Sequence, residues 1–185
     1  METTNIYLFK ALDAYPYNLQ EAVESLNYAL SYDPENSQAL YLMAKIHAYQ
    51  LEDYETAKHY FEATIASNMD LANVYPDYAY TLVCNEDYDE AQKLLDHAMK
   101  VKASDKSWLY WTQGQLLEAQ GSFKKAVKTF RKAKKASRNS FFASFFEGEA
   151  KRVAGKLPKK KARKAKNKKK KSKKKRKENK KKNRS

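Results

Sequence analysis

The stretch Tyr54-Glu-Thr-Ala-Lys-His-Tyr-Phe61 decides the fold, because its spacing returns along the 185-residue chain at a nearly fixed interval. The pattern, an aromatic residue, then alanine three positions on and a large apolar residue four positions later, begins again at Tyr88 and at Phe123, after 34 and then 35 residues. An earlier copy with leucine in the first position begins at Leu19. Large and small side chains at helical spacing let helices pack closely. A period of this length predicts a solenoid of repeats.

Polar residues placed before each copy predict where a helix begins. Two copies follow a complete capping box, and the other two follow a single capping residue. The boxes are Asn18 with Glu21 and Asp87 with Glu90, and the single caps are Asp53 and Ser122. Such side chains accept hydrogen bonds from the free N–H groups of the first turn. A further helical pattern precedes the copies, as over residues 37–51. Each copy is therefore predicted to be a pair of helices.

Composition narrows the class of protein. The chain is 42% hydrophobic, which suffices for a core, and its four glycines and four prolines argue against an all-β fold. A single cysteine, Cys84, excludes a disulfide framework and any multi-cysteine metal site. The first residues lack the basic flank and apolar run of a signal peptide, and no stretch is long and apolar enough to span a membrane. We expect a cytoplasmic protein, or a nuclear one if the source is eukaryotic.

The repeated residues resemble the tetratricopeptide repeat family, and the fourth copy matches its consensus best. The matching residues of that copy are Tyr110, Gly114, Leu117, Gly121, Phe123, Ala126, Phe130 and Ala133. The second copy needs one extra residue near Leu51, and the opening helix of the first is degenerate. The resemblance covers residues 3–139 and implies an all-α, right-handed helical solenoid of about four helix-turn-helix repeats. The implied repeats are residues 3–36, 37–71, 72–105 and 106–139.

Residues 140–155 follow the last repeat and contain four phenylalanines, which are Phe141, Phe142, Phe145 and Phe146. A helical solenoid needs a final element with an apolar inner face. We therefore expect a C-terminal capping helix, and an exposed aromatic docking strip is the alternative.

The family resemblance implies that the first helices of the repeats line a concave groove, which binds a segment of a partner protein. The expected groove residues are Tyr7, Tyr41, Lys45, Tyr49, Tyr80, Trp108, Trp111 and Gln115. Tyrosine and tryptophan favour a partner with apolar or aromatic anchors. The alternative for each ring is that it packs between neighbouring repeats.

One subclass of the family binds the acidic C-terminus of heat-shock chaperones through basic and amide residues of the first helices. The corresponding positions here include Tyr7, Ala11, Tyr41 and Tyr80, with only Lys45 basic. That clamp is absent. The small repeat chaperones of bacterial secretion systems are similar in size and repeat count.

Charge divides the chain into three regions. The net charge is −12 over residues 1–120, +8 over residues 121–155 and +19 over residues 156–185. The last region is predicted to be a disordered, Lys-rich tail, because like charges this dense cannot pack. The cations of the fourth repeat's second helix are expected on the convex surface. A solvated face is the alternative to binding there.

Such basic segments bind nucleic acid or another polyanion through the release of counterions. The expected polyanion-binding residues are Lys124, Lys125, Lys128, Arg131, Lys132, Lys135, Arg138, Lys159, Lys160, Lys161, Lys168, Lys169, Lys170 and Lys171. A tail that tethers a partner, or that covers the acidic repeats, is the alternative.

No enzymatic motif, metal-ligand spacing or cofactor-binding loop occurs, so we expect neither catalysis nor a cofactor. His47 falls on the first-helix position that is usually tyrosine in the family, so we expect it to be a packed side chain, and His59 and His97 lie on second helices without a catalytic partner pattern. The leading hypothesis is a monomeric adaptor whose groove binds a protein segment and whose basic end contacts a polyanion. The alternatives are a nucleic-acid-binding protein without sequence specificity and a secretion-type repeat chaperone.

Overall fold

The computed structural model describes residues 6–158, and every regular element in that range is an α-helix. The helices are α1 (Ile6–Ala14), α2 (Leu19–Tyr32), α3 (Ser37–Tyr49), α4 (Tyr54–Ser67), α5 (Val74–Cys84), α6 (Tyr88–Ala98), α7 (Lys106–Ala119), α8 (Phe123–Ala136) and α9 (Ser140–Gly155). Within this range no helix is both long and apolar enough to cross a membrane.

Consecutive helices pack as four pairs, α1 with α2 through α7 with α8, and α9 packs on α8. Helix α5 contacts both α3 and α7, so the first helices of successive pairs lie side by side. This arrangement confirms the prediction of an all-α helical solenoid.

The repeated sequence positions form the core. The alanine of each copy and the large residue four positions later are completely buried. These residues are Ala22, Ala57, Ala91, Ala126, Leu26, Phe61, Leu95 and Phe130. Burial of a large apolar side chain stabilises the fold by about 1.5–3 kcal/mol. The repeat pattern therefore records the contacts that hold each helix pair together.

Helix starts agree with the capping pattern in two places and differ in two. Asn18 Oδ1 accepts a hydrogen bond from the Glu21 amide at 3.3 Å, and Asp53 caps α4 in the same way through Thr56. Asp87 makes no capping bond, and neither does Ser122. The Asp87 carboxylate instead accepts from Lys58 Nζ at 2.6 Å, because a charged donor forms the stronger bond. The predicted capping box at Asp87 is wrong.

The turn between the two helices of a pair has the same backbone conformation in three repeats. Glu52, Glu86 and Gly121 occupy its equivalent position with φ values of 53°, 65° and 71°. This left-handed conformation ends a helix and is easiest for glycine, which has no Cβ. Two glutamates therefore adopt a conformation that the family consensus gives to glycine.

Helix α9 covers the fourth repeat with one face only. Phe146, Ala150 and Val153 are buried, whereas Phe141 is 74% exposed and Phe145 is 41% exposed. The four phenylalanines thus do not share one buried face. Part of α9 packs as a capping helix does, and part of it presents aromatic surface to solvent.

Candidate protein-binding cleft

A cleft of about 820 Å³ opens on the side formed by the first helices α3, α5 and α7. Its walls come from side chains one helical turn apart, which share a face of each helix. The lining residues are Tyr15, Tyr41, Lys45, Tyr49, Asn73, Pro76, Asp77, Tyr80, Asp105, Trp108, Trp111 and Thr112.

Aromatic rings form a continuous row from the cleft to α9. The ring of Tyr49 lies 6.2 Å from that of Tyr80, which lies 5.1 Å from Trp111. Trp111 in turn lies 5.4 Å from Trp108 and 6.0 Å from Phe145, measured between ring centroids. These separations are those of interacting rings. We call this set, together with Phe142 at 5.3 Å from Trp108, the aromatic row, and it spans four helices.

The Asp77 carboxylate is the acidic centre of the cleft. The Tyr41 hydroxyl lies 2.5 Å from Asp77 Oδ2 and 3.2 Å from the Asn73 carbonyl oxygen, so it can donate to either. Burial, and then the charge of Asp77, raise the pKa of Tyr41 well above its usual value. The same two causes raise the pKa of Tyr49, although 37% of that residue is exposed. Burial and then Cys84 raise the pKa of Tyr80 to about 12. All three phenols are neutral at physiological pH.

Lys45 supplies the cation of the cleft. Its ammonium lies 5.8 Å from the ring centroid of Tyr15 and 5.6 Å from that of Tyr41, which are cation–π distances. Within residues 6–158 neither Lys45 nor Asp77 takes part in an ion pair. Lys45 therefore contacts aromatic rings and Asp77 contacts a tyrosine hydroxyl, and the two do not form an ion pair with each other.

Of the eight residues expected in the groove, six line the cleft: Tyr41, Lys45, Tyr49, Tyr80, Trp108 and Trp111. Tyr7 lies elsewhere, because α1 turns that ring onto α2, where it stacks at 5.3 Å on Tyr28 and 5.7 Å on Tyr32. Gln115, one turn beyond Trp111 on α7, is outside the lining. Whether the lining residues bind a partner remains a prediction.

Sequence reasoning missed six lining residues: Tyr15, Asn73, Pro76, Asp77, Asp105 and Thr112. Asp77 and Pro76 lie three and four positions before Tyr80, so helical spacing from a predicted groove residue was a usable signal for them. Asn73 and Asp105 immediately precede helices, and nothing in the periodicity marks them.

The expected basic surface on α8 is exposed. Its described members are Lys124, Lys125, Lys128, Arg131, Lys132 and Lys135 on α8 and Arg138 just beyond its end. Their neighbour Lys134 pairs with Glu147 at 3.2 Å, and Lys132 lies over the Tyr110 ring. The other expected cations, Lys159, Lys160, Lys161 and Lys168 to Lys171, lie outside the described residues.

The surroundings of His47 and Cys84 suit a structural role. His47 stacks on Tyr60 and lies 3.3 Å from Asp53. Burial raises the pKa of the Cys84 thiol, which disfavours its reactive thiolate. Residues 6–158 contain no group of three or more histidine, cysteine or acidic side chains that could hold a metal ion.

Comparison with known families gives two matches, both to sequence models described as tetratricopeptide repeat. One covers residues 79–141 and the other residues 37–68, together just over half of the chain. The chain belongs to the tetratricopeptide repeat family. Proteins of this family are typically non-enzymatic scaffolds that bind protein partners, and this tetratricopeptide repeat protein is a protein-interaction scaffold.

Solved structures show the same fold. This tetratricopeptide repeat protein is similar to PilW, described as a widely conserved type IV pilus biogenesis factor, with a TM-score of 0.67 and 18% identity over 85% of this chain and 80% of that one. It is also similar to a MamA RS-1 ArsTM double mutant, with a TM-score of 0.62 and 14% identity over 84% of this chain and 97% of that one. Comparison with curated protein sequences gives no significant match.

Proposed function

We propose that the cleft binds a short segment of a partner protein, so that the chain acts as an adaptor. The observation that carries this proposal is the aromatic row, which crosses α3, α5, α7 and α9 and remains partly open to solvent. Tyrosine and tryptophan provide large contact area at low entropic cost and are enriched among interface residues that dominate affinity. Contiguous apolar surface of this kind is unusual on a protein without a partner.

The row also limits the length of the bound segment. Successive centroids from Tyr49 through Tyr80, Trp111 and Trp108 to Phe142 are separated by 5.1 to 6.2 Å. An extended backbone rises by about 3.3 Å per residue. The row therefore accommodates an extended segment of no more than about seven residues.

Two polar atoms of the cleft residues favour a polar contact with that segment. Trp111 Nε1 and Thr112 Oγ1 are buried and, among residues 6–158, have no hydrogen-bond partner. A buried donor without an acceptor is destabilising, so a small side-chain movement that lets a partner's carbonyl reach either atom would favour binding. An apolar segment with an accessible backbone would contact the aromatic row and also offer a carbonyl oxygen to Trp111 Nε1 or Thr112 Oγ1.

The test uses the full chain and two variants, Tyr49→Ala and Phe145→Ala. Both residues are more than one third exposed, so their removal is expected to change folding little. Cross-linking in a nuclease-treated lysate identifies the bound protein, and titration with the purified partner then gives its affinity. We expect each variant to weaken binding about tenfold, as loss of a dominant interface ring does.

Tyr32→Ala is the matched control, because Tyr32 is 73% exposed on α2, outside the cleft. It is expected to leave the affinity unchanged. Equal affinity of the unmodified chain and both cleft variants for every captured partner would refute binding in the cleft.

The exposed cations of α8 support a second function, the binding of nucleic acid or another polyanion. Each phosphate that a cation neutralises steepens the salt dependence of binding. Changing Lys128, Arg131 and Lys135 together to glutamine should therefore reduce the slope of log K against log salt by about 3 for a 20-base-pair DNA duplex. The control changes Lys93, Lys100 and Lys102, which are exposed outside α8. Equal slopes for both triple variants would exclude α8 from the interface.

A further inference from the structure

We infer that the segment bound in the cleft carries a basic side chain, with arginine preferred to lysine, and that Asp77 pairs with it. The inference rests on the proposed binding of a protein segment and adds the chemistry that selects it. It follows from the hydrogen bonds of Asp77, from the rings around it and from the charges of the cleft.

Asp77 retains the capacity to bind a cation. An ionised carboxylate has about four positions for hydrogen-bond donors. The Tyr41 hydroxyl donates to one oxygen, and the Tyr49 hydroxyl is a second hydrogen-bond partner, which leaves about two positions for a cation. No lysine, arginine or histidine among residues 6–158 forms an ion pair with Asp77. The cleft thus contains a half-buried carboxylate without a cationic partner from the described chain.

The rings of the same cleft are suited to a cation. Lys45 shows this directly, since its ammonium lies over the rings of Tyr15 and Tyr41. The described residues place no cation over the other rings of the lining, Tyr49, Tyr80, Trp108 and Trp111. Tyr49 is 37% exposed, so a basic group from a partner can approach this ring.

The charges of the lining leave room for one further cation. Among its residues Lys45 is the basic one, and Asp77 and Asp105 are acidic. The sum is a single negative charge, which one arginine or lysine neutralises. A planar guanidinium can stack on a ring and donate two parallel hydrogen bonds to a carboxylate, whereas an ammonium acts as a point charge. The preference for arginine follows from this geometry.

The aromatic row also predicts the spacing of the bound sequence. From Tyr80, one helical turn after Asp77 on α5, the row reaches Trp111 after 5.1 Å and Phe145 after a further 6.0 Å. At about 3.3 Å per residue, this path matches roughly three residues of extended chain. The preferred segment therefore has an arginine and, about three positions away, a large apolar residue that contacts the partly exposed Phe145.

The experiment is selection of a random 12-residue peptide library on the immobilised full chain. Peptides that also bind the Tyr49→Ala/Phe145→Ala double variant are removed first. This variant keeps the basic tail, so acidic peptides that bind the tail are eliminated. We expect the remaining peptides to be enriched in arginine three or four positions from an apolar residue. On the Asp77→Asn variant the apolar preference should persist without the preference for arginine.

Replacing the arginine of a selected peptide by citrulline, which has nearly the same shape without the charge, should weaken binding about tenfold. The same replacement should change nothing with Asp77→Asn, and Asp70→Asn, an exposed aspartate outside the lining, should behave like the unmodified chain.

The possible failures are distinguishable. Selected peptides with no basic preference, or an unchanged preference with Asp77→Asn, overturn the inference and leave binding in the cleft intact. If no peptide survives removal on the double variant, the cleft does not bind free segments, and both the inference and the proposed function are refuted. Carbodiimide cross-links between Asp77 and a tail lysine in the full chain would show that the chain's own tail occupies the cleft, which also overturns the inference.

Discussion

The second and fourth repeats have equivalent buried residues but carry opposite charges on the exposed surfaces of their second helices. Phe61 of α4 and Phe130 of α8 occupy equivalent positions, and each is completely buried. The outward surface of α4 carries Glu55 and Glu62, whereas α8 carries seven lysines and arginines between residues 124 and 135. The buried positions therefore determine how the two helices pack, and the exposed positions can differ between repeats and determine what each surface binds.

The equivalence of the two interiors can be tested where their packing is closest. Ala44 of α3 corresponds to Gly114 of α7, and a Cβ added at Gly114 would lie 2.6 Å from the Phe130 ring. We expect Gly114→Ala to lower the free energy of unfolding by about 1–3 kcal/mol, because overpacking moves a buried ring. Denaturant unfolding monitored by circular dichroism measures the change.

The double variant Gly114→Ala/Phe130→Leu separates overpacking from other effects. Leucine leaves space for the added methyl group, so the combined loss should be smaller than the sum of the two single losses. Additive losses would show that α7 and α8 do not meet as closely as the structure indicates. Ala44→Gly, in the second repeat, should cost about 1–2 kcal/mol, from helix propensity and from the loss of a buried methyl group.

The fold followed from the sequence because the repeat positions are the buried ones. A strong 34–35-residue period specifies helix pairs without knowledge of what lies on either side. The caps were less predictable. Asp87 matches a capping box in sequence, but Lys58, from the preceding helix pair, lies within reach and binds its carboxylate. A local pattern cannot anticipate a competing partner 29 residues away.

The ends of the two repeats differ as well, because within residues 6–158 the second is followed by another helix pair and the fourth by the single helix α9. Glu118 of α7 accepts two hydrogen bonds from Arg152 at 2.7 and 2.6 Å and a third from Lys156 at 2.6 Å. These bonds, of which the one from Arg152 has the largest effect, hold the pKa of Glu118 below its ordinary value of 4.5. The side chain of Glu118 is 11% exposed, so solvent screens the contact only in part.

We expect Glu118→Gln to lower the free energy of unfolding at pH 7 by about 1–2 kcal/mol, since bonds between charged groups contribute at least this much. The folded pKa is depressed, so the contribution is complete above about pH 4.5 and is lost as the pH falls through the folded pKa. Unfolding of the wild-type chain and the variant at pH 7 and at pH 3 gives the two differences. An equal difference at both pH values would exclude the charge as its source.

Glu35→Gln serves as the control, because Glu35 is an exposed carboxylate in the turn between α2 and α3. It should change stability by less than about 0.5 kcal/mol at either pH.

The cleft was only partly predictable. Six of its residues follow from the position of aromatic and basic side chains on the first helices. Asp77 lies at helical spacing from Tyr80, but its hydrogen bond with the Tyr41 hydroxyl, 36 residues earlier in the chain, could not be predicted. The contribution of α9 was also hidden, since four phenylalanines in six residues indicate an apolar helix without showing that Phe145 extends the aromatic row. Such contacts exist only once separate helices have packed.

The smallest expected effect concerns the turn in which the repeats share a backbone conformation but not a residue. Glu86 has a φ of 65° and Gly121 a φ of 71°. A side chain in this conformation costs about 1 kcal/mol relative to glycine. Glu86→Gly should therefore raise the free energy of unfolding by up to about 1 kcal/mol, and Gly121→Ala should lower it by a similar amount.

Calorimetric unfolding of both variants, with Asp89→Gly inside α6 as a destabilised control, measures the changes. A loss of stability in Glu86→Gly would mean that the glutamate makes compensating contacts, and the turns of the repeats would then not be equivalent.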